Sequence, residues 1–97
     1  MKHMIDGKVY NCETSEKLHS AGNYRACSVG DGNCSIFKTK NGAVWARVLY
    51  WPNSFGDMQV RVYTGKEGAI KALTVTNQLS NYLDDVAEAI GYAVEEA

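Results

Sequence analysis

The chain has 97 residues, 45% of them hydrophobic, with 9 Gly, 1 Pro and a formal net charge of −1. That is the size of one domain with a modest core and a net stability of roughly 5–10 kcal/mol; the composition is not that of a disordered chain. No apolar run approaches the ~20 residues that cross a bilayer. The N-terminus lacks the pattern of a signal peptide, so a cytoplasmic location is expected.

Met1-Lys2-His3-Met4 resembles a cloning-site remnant, and no role is assigned to residues 1–3. Asp6-Gly7 is a turn signal, followed by a short strand at Lys8-Val9-Tyr10. Asn11 is placed to cap a helix over residues 12–20, with Glu13 and Glu16 near its positive end. That helix has few apolar positions, namely Cys12, Leu18 and Ala21, and Ala21-Gly22-Asn23 stops it. Gly30-Asp31-Gly32-Asn33 reads as a loop.

The clearest local signal follows. Ser35-Ile36-Phe37-Lys38-Thr39 and residues 43–50 flank Lys40-Asn41-Gly42, and Asn-Gly between β-rich runs favours a tight hairpin turn with positive φ. In the second strand Val44, Ala46, Val48 and Tyr50 share one face, while Trp45, Arg47 and Leu49 share the other. Both faces are mostly apolar, as for a strand covered on both sides. Residues 51–57 form a loop, because Pro52 cannot continue a central strand. Residues 58–63 alternate as a third strand, with Met58, Val60 and Val62 inward and Gln59, Arg61 and Tyr63 facing the other way. Thr64 can cap a short helix to about residue 73, weakened by Gly68. The competing reading is a return strand over residues 70–75.

The C-terminal helix has the strongest periodicity: Leu79, Leu83, Val86, Ile90 and Val94 form one stripe, widened by Ala87 and Ala93. Thr76 or Ser80 supplies its capping oxygen. Asp84, Asp85 and Glu88 lie off the stripe and should face solvent. The chain is electrically divided here: residues 77–97 hold five acids and no Lys or Arg, while all ten basic residues precede them against six acids. The expected fold is α+β, an antiparallel sheet of three or four strands, built on the central hairpin, packed against this helix.

Several chemistries fall short. Cys12, His19, Cys27 and Cys34 could supply four zinc ligands, but their spacing contains no Cys-x-x-Cys knuckle, so small apolar residues are the better reading. The odd cysteine count in a chain without an export signal favours free thiols. No motif surrounds a Cys–His pair, the adjacent carboxylates Asp84 and Asp85 diverge by about 100° on a helix, and Gly30-Asp31-Gly32 precedes no phosphate-binding helix. No catalytic residue, metal or cofactor is assigned. Lys38, Lys40, Arg47, Arg61, Lys66 and Lys71, interleaved with Phe37, Trp45 and Tyr63, could line a single-strand platform. A pI of about 6.1 argues against it, so direct nucleic-acid binding is not expected.

Protein binding is the remaining class. Trp51 and Phe55 flank Pro52 in a short loop, where they either anchor an interface or fold back to cap the small core. The acidic face of Asp84, Asp85 and Glu88 could dock on a basic surface, including one that otherwise holds phosphates. Homodimerisation would also bury surface.

Gly7-Lys8-Val9-Tyr10 with Glu13-Thr14, and Ile36-Phe37-Lys38-Thr39-Lys40-Asn41-Gly42, resemble segments of a group of small proteins of unknown function encoded by phages and integrative elements. Those proteins open with a Gly-Lys-Tyr strand running into a Thr-Glu-Thr helix and later carry a Tyr-Arg-Thr-Lys-Lys-Gly-type hairpin. The resemblance covers about a third of the chain and leaves the acidic C-terminal helix outside it. Some accessory proteins of this origin inhibit host defence, anti-CRISPR proteins included. The resemblance therefore implies a non-enzymatic inhibitor of a host protein or ribonucleoprotein complex, with no functional residue carried over. The alternative is a small structural or regulatory interaction module without an anti-defence role.

Overall fold

The computed structural model describes residues 2–23, 32–50 and 59–95, with the backbone alone for Asn23 and Tyr50. Among these residues the fold is α+β. In chain order it has β1 (Lys2–Ile5), β2 (Lys8–Asn11), β3 (Glu16–Asn23), β4 (Gly32–Lys38), β5 (Val44–Tyr50), β6 (Gln59–Thr64), α1 (Gly65–Val75) and α2 (Leu79–Ile90). β3 to β6 form an antiparallel sheet in sequential order, and β1 and β2 form a separate hairpin. The expected loops at 51–57 and Gly30-Asp31, and Met58, lie outside the described residues.

The alternation of β5 explains the layering. Val44, Ala46 and Val48 join Cys34 and Ile36 in a buried cluster with Ala69, Ala72 and Leu73 of α1 and Val86 and Ile90 of α2. Trp45, on the other face, is 0% exposed and clusters with Phe37 and Tyr10 under the β1–β2 hairpin. Its ring stacks on Phe37 at 4.5 Å between centroids and meets Tyr10 at 5.7 Å. A strand with two apolar faces therefore receives two covers, helices on one side and a hairpin on the other.

That second cover was not foreseen. Lys2 and His3, given no role by sequence, pair with Asn11 and Tyr10, and the His3 ring lies edge-on to Trp45 at 6.0 Å. Asp6-Gly7 makes the tight two-residue turn, both residues having positive φ. Asn41-Gly42 does not: Gly42 alone is left-handed, and its N–H donates to Thr39 O at 2.9 Å. The Lys40-Asn41-Gly42 connection is thus a three-residue loop ending in a glycine bulge.

The helix expected over residues 12–20 is absent, and β3 occupies most of it. Asn11 does supply a capping oxygen, accepting from Glu13 N–H at 2.9 Å, but this closes a turn instead of opening a helix. Ser15 Oγ donates to Asn11 O at 2.8 Å and accepts from Trp45 Nε1–H at 3.2 Å, so the turn is tied to the buried indole. With few apolar residues to bury on a helical stripe, the segment pairs with β4, taking up a bulge between Lys17 and His19. Gly32 and Asn33, expected in a loop, begin β4.

Residues 66–75 are helical, settling the choice between helix and return strand. Gly68 lowers helix propensity but lets α1 approach β6, since a Cβ there would lie 3.0 Å from the Tyr63 carbonyl carbon. Thr64 occupies the N-cap position without a side-chain bond. On β6, Val62 packs under the hairpin and Tyr63 against the helical cluster, whereas Val60 is 47% exposed. The expected inward face of this strand is therefore corrected: it is an edge strand, and its covers do not reach Val60.

Neither Thr76 nor Ser80 caps α2. Gln78 is its N-cap residue, without a side-chain cap bond, and Thr76 Oγ1 donates to Ala72 O at 2.8 Å to finish α1. The helix stops at the left-handed Gly91, so Val94, expected in the buried stripe, is 45% exposed. Leu79 and Leu83 are half-buried.

Replacing Trp45 by Ala should lower the unfolding free energy by roughly 3–5 kcal/mol in urea titrations. Trp45→Phe, which keeps a ring beside Phe37 and loses the hydrogen bond to Ser15, should cost about half as much.

Candidate functional site

The acidic helix is held by a small set of polar bonds at its start. Gln78 is 2% exposed; its Nε2 donates to Ala21 O of β3 at 2.9 Å, and its Oε1 lies 3.4 Å from His19 Nε2. The His19 ring also packs on Tyr82 of α2 at 4.7 Å. A buried amide must keep such partners or lose stability, so these bonds pin the first turn of α2 to the sheet edge. At the other end Lys66 Nζ donates to Gly91 O at 3.3 Å. Val86, Ala87 and Ile90 face inward between these ties.

Asp84, Asp85 and Glu88 are all exposed, as expected. At 100° per residue they span about 100° of helix surface, opposite the buried residues. Leu79 and Leu83 join Asp84 and Asp85 in lining an open cleft at the α1–α2 corner, with Thr74 and Asn77 across from them. The sequence pointed to the acids but missed the leucines beside them, since the stripe pattern reads every apolar position as core. Trp51 and Phe55, the other expected contacts, lie outside the described residues, as does Cys27.

The other chemistries can be placed. Cys12 packs with the hairpin cluster and Cys34 with the helical cluster, so the sheet separates these two thiols. Cys34 is fully buried, and burial pushes its pKa up to about 12, partly offset by hydrogen bonding with Thr76. A thiol held protonated and enclosed is a poor nucleophile. Phe37 and Trp45 are buried, so neither can stack on a nucleic-acid base. Arg47 is half-buried beneath the hairpin, its Nη1 3.7 Å from Cys12 Sγ and its guanidinium 5.9 Å from the Phe37 ring centre. Lys71 lies 5.7 Å over the ring of Tyr63. The aromatics thus divide between two faces, Phe37 and Trp45 under the hairpin and Tyr63 against the helices, and do not line one open platform with the exposed lysines.

No family model, curated protein or solved structure matches the chain. No helix among the described residues is long and apolar enough to cross a membrane.

The Cys34 environment has a pH consequence. The unfolded thiol ionises near its ordinary value of 9.0, while the folded one keeps its proton to about 12. Between these values the unfolded state holds fewer protons, so stability falls as pH rises through that window. Urea unfolding of wild-type and Cys34→Ala protein from pH 8 upward should show a steeper alkaline loss in the wild type. Equal slopes would contradict the raised pKa.

Proposed function

We propose that this protein acts by binding and not by catalysis: the acidic outer face of α2 docks on a basic surface of a host protein or ribonucleoprotein. By occupying that surface it competes with the nucleic acid held there. The observation that carries the reading is the exposure of Asp84, Asp85 and Glu88 on one side of a helix in a segment without Lys or Arg. A field of one sign steers such a partner and repels polyanions. The resemblance to phage and mobile-element proteins narrows the partner to a CRISPR-type defence complex. Trp51 and Phe55 are the apolar anchors expected to accompany the charges.

Affinity capture from bacterial lysates with and without an active CRISPR system tests the class of partner. A specific ribonucleoprotein recovered from the active strain alone supports an anti-defence role; the same unrelated partner from both points to a general interaction module. The triple variant Asp84→Lys, Asp85→Lys, Glu88→Lys should keep its melting temperature and bind about tenfold or more weakly at 0.1 M salt. Wild-type affinity should itself fall with salt, as the Debye length drops from about 10 Å at 0.1 M to about 3 Å at 1 M. Unchanged affinity of the triple variant sinks the electrostatic reading. Truncating Trp51 or Phe55 to Ala should cost about 2–4 kcal/mol of binding, with an unchanged melt. A lowered melt with normal affinity would assign the rings to the core.

A further inference from the structure

The apolar stripe of α2 is only partly covered by the core. Val86, Ala87 and Ile90 are buried, but Leu79, at the margin of the core cluster, and Leu83, one turn on, stay half-buried and line two open clefts. The first, about 870 Å³, extends to Asp84 and Asp85. The second, about 520 Å³, lies between α1, α2 and the segment after Gly91, where Ile70, Tyr92 and Val94 meet Glu67 and Glu95. Four carboxylates line the pair of clefts, and among the described residues no Lys or Arg does. An apolar floor with a rim of one sign is an incomplete interface.

We infer that this surface receives a basic amphipathic helix of a partner protein. Leu79 and Leu83 form a ridge that the apolar side chains of that helix straddle, while its Lys and Arg side chains reach Asp84, Asp85 and Glu67. The inference rests on the acidic-docking reading and names the chemistry of what docks. Charge decides the occupant. A second copy meeting this face symmetrically would set α2 carboxylates against each other, because α2 contains no Lys or Arg. Nucleic acid is repelled by the same rim, and a flat polar basic surface would leave the leucines uncovered. Helix-in-groove recognition satisfies both requirements at once, through anchors at i, i+3, i+4 and i+7. α2 spans 12 residues, about 18 Å, which matches three to four turns of a partner helix.

The test uses the full chain and two fluorescently labelled peptides of about 14 residues, four helical turns, composed of Leu and Lys. One places Leu at i, i+3, i+4 and i+7; the other has the same composition with Leu spread around the helix. The amphipathic peptide should bind at least about tenfold more tightly in anisotropy titrations, a difference of about 1.4 kcal/mol. Leu83→Gln should erase that preference with little change in melting temperature, and Leu83→Met, which keeps the apolar volume, should retain it. Equal affinities for the two peptides, or an undiminished preference in Leu83→Gln, overturns the inference. If equal affinities both collapse in the Asp84→Lys, Asp85→Lys, Glu88→Lys variant, the docking reading survives and the apolar groove does not. If that variant instead binds the amphipathic peptide as well as wild type, the ridge is supported and the electrostatic reading falls.

Discussion

The burial of Trp45 against Phe37 is the constraint on which the rest of this structure depends. An indole of this size buries ~150–250 Å², worth roughly 4–6 kcal/mol at 25 cal/mol per Å². In a domain whose total stability is of that order, the face carrying it must be sealed. Yet β5 presents Val44, Ala46 and Val48 on its opposite side, and these need cover as well. Two covers follow: the helices take one face, and the N-terminal hairpin takes the other. The indole N–H, which could not be left unpaired in such a site, reaches Ser15 and thereby ties the turn after the hairpin to the core.

The helical layer shows how that arrangement leaves a surface to work with. α1 lies close on the sheet, allowed by Gly68 over Tyr63 and by the small residues Ala69 and Ala72. α2 is attached mainly at its start, through Gln78 and His19, and along its second half, through Val86 and Ile90. Between these attachments Leu79 packs against the margin of the core cluster and Leu83 lies beyond it, both half-buried. The outer side of the same helix carries only acids and small or polar residues. Negative charge and apolar area therefore lie side by side along the first two turns of α2.

The distribution of cations supports this division. Arg47 is half-buried beneath the hairpin and Lys71 lies over Tyr63, so part of the positive charge is engaged with aromatic rings and does not form a patch. Near-zero net charge thus conceals a basic body and an acidic C-terminal segment, whose Asp84, Asp85 and Glu88 are exposed on one side of α2. The chemistry of Cys34 fits a purely structural thiol: enclosed, protonated and separated by the sheet from Cys12.

Much of this was legible in the residues. The α+β class, the hairpin of β4 and β5, the two-faced burial of β5, the C-terminal helix and the exposure of Asp84, Asp85 and Glu88 all follow from periods of 2 and 3.6, which are local properties. What tertiary structure alone decided are choices between locally similar energies. Asn11 can open a helix or close a turn with the same oxygen, and it closes a turn because the strand that follows finds β4 as a partner. Residues 2–11 become a cover because Trp45 needs one, a demand written more than thirty residues away. Leu79 and Leu83 carry the same pattern as Val86 and Ile90, but periodicity specifies the side of a helix and not how far the neighbouring layer extends along it. That distance is set by where α1 ends and the sheet stops, so the half-buried ridge beside the acids exists only in three dimensions.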